Sequence, residues 1–243
     1  MIRLPLIFFF SLVLTTGFSQ RYSAAVVSVY AYKDLNEKFG KTYPKLTDLS
    51  HDKKFDLAFL ADSLDDFLSN GYWKGFPFDV LEREKVVNEP HYHEYESHYF
   101  EQEDNPQISL GHKYKMFVLE ETDYESHDVD ELISIFPFLN SLITISLKFH
   151  LIHNNIDKDI IEIKPEMTLH FWDYKSETTH TASKSVVYVS KIRDWDPITD
   201  HPNIEILELE LHRALNQLIQ NLDEHKEKFI HKIEKKLIEA AKD

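Results

Sequence analysis

The plainest pattern in the chain is an alternation. From Leu142 onward the apolar residues Ile143, Ile145, Leu147, Phe149 and Leu151 alternate with Thr144, Ser146, Lys148 and His150, which predicts a long half-buried strand. Two more strands are expected at about 160–174 and 178–191, separated by the turn residues Asn154-Asn155 and Lys175-Ser176-Glu177, so the three read as an antiparallel meander. Upstream, the β-branched run Ala24–Tyr30 has the character of a buried strand. After Phe55 the residues Leu57, Leu60, Ala61, Leu64, Phe67 and Leu68 recur at three- and four-residue spacing. That spacing predicts an amphipathic helix, and Asn70-Gly71 stops it. Gly75 to Pro77 turns the chain into a strand expected at Phe78–Leu81, followed by a helical start at 83–88 and a strand at Tyr114–Leu119.

The C-terminal pattern is helical again. Asp200 or Asn203 can cap a segment running from Ile204 to about Ala241, in which Leu211, Leu215, Leu218, Leu222 and Phe229 form one stripe. Unbroken, about 38 residues at ~1.5 Å each would reach about 57 Å, longer than a domain of this size is wide. The last turns must therefore fold back at Asp223 or project. Phe229, Ile230, Ile233 and Leu237 continue the apolar face among six Lys and six acidic residues between Asp223 and Asp243, a balance that repels no helical partner. These four are expected to serve association with a partner protein or a second copy rather than the monomer's core.

The expected fold class is α+β, with a mixed, largely antiparallel sheet, helices packed on one face and a long C-terminal helix. Residues 1–19 read as a signal peptide, with Arg3 in the positive region, Leu4–Leu14 as the apolar stretch and Gly17-Phe18-Ser19 before the cut. Residues 20–203 form the α+β domain and 204–243 the C-terminal helical segment. The apolar stretch is short of the ~20 residues a membrane-crossing helix needs, so an exported chain, periplasmic or secreted, is expected.

Composition narrows the chemistry. The 243 residues carry 27 Lys plus Arg against 42 Asp plus Glu, a net charge of −15, which repels phosphate backbones in the absence of a basic patch. Most of that excess is local, because residues 82–131 hold fifteen acidic residues against four basic ones. With no cysteine, thiolate chemistry, disulfides and a lipidated cysteine are excluded. The five glycines fall in no phosphate-cradling loop.

The progression from Val26-Val27-Ser28-Val29 through Leu60-Ala61-Asp62-Ser63-Leu64 and Leu68 to Phe78-Asp79-Val80-Leu81-Glu82-Arg83 and Glu89 resembles the N-terminal α/β domain of the Tol-Pal translocation protein. It is also similar to the related domain of the curli secretion channel family. The likeness covers residues 24–90 by motif and implies a role in translocation or secretion exercised through protein contacts. Leu60, Leu64 and Leu68 would then fill a helix–sheet interface, with Arg83 paired to Glu89 or Asp62.

Two constellations remain. In His91-Tyr92-His93-Glu94-Tyr95-Glu96-Ser97-His98, an extended backbone would put His91 and His93 on one face, where zinc or copper could bind with His98 or Glu94 completing the shell. The acidic run Glu120, Glu121, Asp123, Glu125, Asp128, Asp130 and Glu131 lacks the spacing and glycine of a calcium loop and reads as a solvated loop. No serine sits in a G-x-S-x-G elbow, and no other activated nucleophile is visible. The leading reading is a non-enzymatic envelope protein that binds another protein. Its alternative is an exported metal or small-ligand binder using His91, His93 and His98.

Overall fold

The computed structural model describes residues 22–35, 49–95, 108–111, 113–117, 119, 125–153, 161–190 and 203–240. The signal peptide and His98 lie outside these residues. Strand β1 (Tyr22–Tyr32) is followed by helix α1 (Ala58–Phe67), β2 (Phe78–Val80), α2 (Arg83–Val87), α3 (Pro90–Glu94) and β3 (Ile108–Leu110). Then come α4 (Glu125–Ile135), β4 (Ser141–His153), β5 (Ile161–Asp173), β6 (Thr178–Ser185), β7 (Tyr188–Val189), α5 (Ile204–Glu224) and α6 (Lys226–Ala240).

The sheet runs β2-β1-β4-β5-β6, with β3 alongside β1 and β7 alongside β5. β1 lies parallel to β2 and β4, whereas β4, β5 and β6 form the expected antiparallel meander. The mixed α+β architecture follows. Every residue of β1 from Ala24 to Tyr32 is buried, which is why its apolar run does not alternate.

The alternating residues of β4 behave as their period requires. Ile143, Ile145, Leu147, Phe149 and Leu151 all point into the main core, meeting Ile163, Met167, Leu169 and Phe171 of β5. The segment expected as one strand at 178–191 is instead two, although Glu166↔Ser185 and Ile163↔Tyr188 keep a single register. The interruption falls opposite Pro165, which has no N–H to give; only its carbonyl accepts, from Val186 N at 3.4 Å.

One helical layer covers this core. Leu60, Ala61, Leu64 and Leu68 are fully buried, as are Leu207, Leu211, Ala214, Leu215 and Leu218 of α5. After α1 the chain widens into a turn over Leu68–Tyr72, closed by Gly71 at φ 87°, a left-handed conformation that a side chain would strain. At Gly111 the reason for glycine is space: an added Cβ would meet Asp62 Oδ1 at 3.0 Å and Ala61 Cβ at 3.3 Å, so α1 could not sit so close to the end of β3.

The C-terminal helix is interrupted at His225 rather than continuous, and its second half belongs to the core. Phe229, Ile230, Ile233 and Leu237 are 0–6% exposed and join the main cluster, with Phe229 edge-on to Phe76 at 6.3 Å. The expectation that these four side chains serve association is therefore corrected. Their apolar spacing is the same for an intramolecular and an intermolecular partner, and the partner present is this chain's own sheet and aromatic turn.

The opposite face of the sheet carries a smaller core, in which Ala25, Val27, Leu142 and Trp172 meet Val86, Tyr92, Phe117, Val129, Leu132 and Phe136. α4 was hidden by acidity: its charged letters conceal Val129, Leu132 and Ile133 at helical spacing. The strand expected at Tyr114–Leu119 does not form among the described residues, and β3 lies upstream of it. Here the edge of β1 is already satisfied. Tyr92 donates to the carbonyl of Val27 at 2.6 Å, where the β1–β4 register shifts, and accepts from Lys115 N at 2.9 Å. A tyrosine hydroxyl thus stands where a ladder bond would be.

Candidate functional site

β2 ends the sheet and pairs only with β1 among the described strands, so no described strand takes up its other edge. Two cavities flank it. A 210 Å3 cavity is lined by Val26, Ser69, Trp73, Val80, Arg83 and Tyr114, among others. A 490 Å3 cleft includes Ser23, Trp73, Phe78, Leu81, Phe138 and Leu139. Trp73, Val80, Leu81 and Glu82 line both, which makes them one continuous surface around the strand.

The cleft's apolar rim is open to solvent. Phe138, in the turn between α4 and β4, lines it and is 62% exposed, whereas Tyr174, in the neighbouring turn after β5, is 53% exposed and does not line the cleft. The turn carrying Phe138 is pinned to the first residues of β1. Asn140 Oδ1 accepts from Ser23 N at 2.6 Å and from Ser23 Oγ at 2.7 Å, and Ser23 Oγ also reaches the Phe138 carbonyl at 3.1 Å. The Tyr174 turn is tied to the same place through Tyr174 N to the Asn140 carbonyl at 3.0 Å. A large exposed ring held on a rigid turn is a feature of recognition surfaces rather than of cores.

The smaller cavity has a charged wall. Arg83 Nη1 donates to Asp65 Oδ2 at 2.9 Å and to Asp66 Oδ1 at 2.8 Å, replacing the pairing with Glu89 or Asp62 expected from the motif. Asp65 is 1% exposed and also accepts from Tyr114 OH and Ser69 Oγ, each at 3.3 Å. Hydrogen bonds to Asp66 and Asp65 push the Arg83 guanidinium up, and burial followed by the Asp65 charge pushes the Tyr114 phenol up. Both groups hold their protons throughout the physiological range. The cluster is thus a staple tying α1 to α2 beside β2.

The histidine cluster is not arranged as an extended backbone would arrange it. Glu89 caps α3 by accepting from Tyr92 N at 2.8 Å, and Pro90 begins the helix. On a helix, His91 and His93 are two positions apart and do not face each other, so one ion cannot be gripped by both; the paired-ligand expectation for His91 and His93 is corrected. His91 Nδ1 lies 3.2 Å from Glu89 Oε1 instead. Among the described residues no group of three or more His, Asp or Glu is gathered as a metal site. Trp73 lines the cleft, whereas Trp172 is in the second core.

No helix among the described residues is long and apolar enough to cross a membrane. No family model matches the chain, and no curated protein matches it. Among solved structures it is similar to a hypothetical protein from Chlamydia trachomatis, with 7% identity over 86% of this chain and 98% of that one, at a TM-score of 0.40. A lipoprotein from Neisseria meningitidis is 13% identical over 82% of this chain and 99% of its own, with a TM-score of 0.29. A neuraminyllactose-binding hemagglutinin homologue from Helicobacter pylori is 11% identical over 89% and 91%, with a TM-score of 0.31. Likeness at this level carries no functional argument, so function is argued from the chain's own surface.

Proposed function

We propose that this chain is an exported, non-enzymatic envelope protein that holds an extended segment of another protein along the outer edge of β2. The observation that carries the reading is a strand edge with no described strand beside it next to a cleft lined by Trp73 and Phe138. A strand edge supplies backbone hydrogen bonds to any extended peptide, and the flanking pockets choose its side chains. Two features support a fixed surface: the Ser23–Asn140 bonds hold Phe138, and the Arg83–Asp65 pair holds the other wall. The resemblance to the translocation domain lends support on the residues of α1 and β2, and the signal-peptide pattern of residues 1–19 supports export.

The strand at the opposite end of the sheet is less suited to this role. β6 is longer, but α6 packs beside it and Lys232 Nζ donates to the Ser183 carbonyl at 3.0 Å. A lysine on an edge carbonyl is a common way to keep other strands away.

The test is a photo-activated crosslinker placed at Phe138 and, as a control, at the exposed Ile238. The expected result is a discrete adduct from position 138 alone. A synthetic peptide copied from the crosslinked partner should bind the purified protein, and Phe138→Ser should weaken it at least tenfold, as for a buried aromatic anchor. Equal adducts from both positions, or a peptide indifferent to Phe138→Ser, would refute the assignment.

A further inference from the structure

On the side facing β7, α5 carries a stripe unlike the rest of its surface. Arg213, Asn216, Gln217, Gln220, Asn221 and Glu224 share one helix face, each three or four residues from another of the set, and with Val186 and Tyr188 they line a 440 Å3 groove between α5 and β7. Four neighbouring positions are amides in a chain that is otherwise 28% charged.

The wall of the groove is built on a buried carboxylate. Glu210 is fully buried, and its two oxygens are taken by Tyr188 OH at 3.0 Å and by Arg213 Nη1. A carboxylate out of water must keep such partners, so it fixes the orientation of both the tyrosine and the guanidinium that border the groove. The amides remain available. Gln217 spends one N–H on the Val187 carbonyl at 3.2 Å and Gln220 one on Glu224 at 2.8 Å, while the side chain of Asn216 has no protein partner among the described residues.

We infer that this groove binds a neutral, hydroxyl-rich glycan. Planar amides offer two donors beside an acceptor, which matches adjacent sugar hydroxyls, each of them donor and acceptor at once. Tyr188 and Val186 give an apolar surface for the C–H face of a pyranose ring. The charges select against acidic sugars, because Arg213 is matched by Glu210 and Glu224 remains. The stripe from 213 to 224 spans about 16 Å at ~1.5 Å per residue, enough for a short oligosaccharide rather than one ring. This site is separate from the β2 cleft and does not depend on the reading given for it.

The experiment is a titration of the 15N-labelled full chain with chitotriose, maltotriose and the anionic trisaccharide of galacturonic acid, following side-chain amide resonances. One of the two neutral trisaccharides should shift the amides of Asn216, Gln217, Gln220 and Asn221 saturably, with a Kd on the order of 1 mM. Asn216→Ala combined with Gln220→Ala, both exposed positions that leave the core untouched, should weaken it roughly tenfold. The inference is overturned if neither neutral sugar shifts these resonances saturably, if the anionic sugar binds more tightly, or if the double substitution leaves binding unchanged.

Discussion

Truncating Ile233 to alanine distinguishes a core helix from a docking helix more sharply than deleting α6 would. Ile233 is fully buried, and its neighbours Phe229, Ile230 and Leu237 are at most 6% exposed. Removing a buried Ile side chain costs the transfer energy of the lost carbons plus the cavity, typically 2–5 kcal/mol. α6 packs on β6, the last strand of the sheet, and partial collapse there favours the lower half of that range, about 3 kcal/mol. For a chain of this size that corresponds to a melting temperature lower by roughly 6–12 °C. Urea unfolding followed by circular dichroism should show a lower midpoint with an unchanged slope. Size-exclusion with light scattering should show the same mass for wild type and variant. The reasoning fails if Ile233→Ala melts within a degree of wild type, or if its main effect is to dissociate an oligomer. Burying the four side chains together is worth about 6–12 kcal/mol at ~1.5–3 kcal/mol each, comparable with the whole stability of a domain, so removing residues 226–243 should unfold the protein.

Tyr92→Phe should cost about 1–3 kcal/mol in urea unfolding, because it strands the Val27 carbonyl inside the second core; an unchanged midpoint would show that water replaces the hydroxyl. Arg83→Met should cost about 3 kcal/mol by leaving Asp65 buried without its cation, and adding Asp65→Asn should restore most of the loss; no recovery in the double variant would contradict the pairing. Gly111→Ala should destabilise by about 1–3 kcal/mol through its approach to Ala61 and Asp62, read as a lower melting temperature. Burial, with help from Lys236 and against Asp173, holds the His180 imidazole below its ordinary value. The unfolded chain therefore takes up its proton first, and stability should fall as pH drops below about 6.5 toward the lower folded value. His180→Asn should flatten the stability profile in that window, and an unflattened profile would place the titration elsewhere.

Much of the scaffold was legible because local periodicity and global burial agree. In β4 the side chains from Ile143 to Leu151 alternate in the letters and in space, and in α1 the spacing of Leu60, Leu64 and Leu68 is the helix–sheet interface itself. The residues that shape the candidate sites were not legible for a different reason. Phe138 reads like any core phenylalanine, and the bonds joining Asn140 to Ser23, 117 residues away, help fix the turn that leaves it exposed. Asp65 and Arg83 are 18 residues apart and meet because α1 and α2 both pack against β1. A helix rather than an extended stretch at Pro90–Glu94 undid the His91 and His93 pairing, since a cap from Glu89 and a proline at the first turn decide the backbone there. The four apolar residues of α6 carry the same letters whether they meet another protein or their own sheet, and folding chose the sheet. Sequence by itself determined which residues must leave water and with what period, because propensity and amphipathicity act between near neighbours. Which surfaces they left it against was decided by tertiary structure, where the competing partners are distant in sequence and the free-energy differences among them are set by packing.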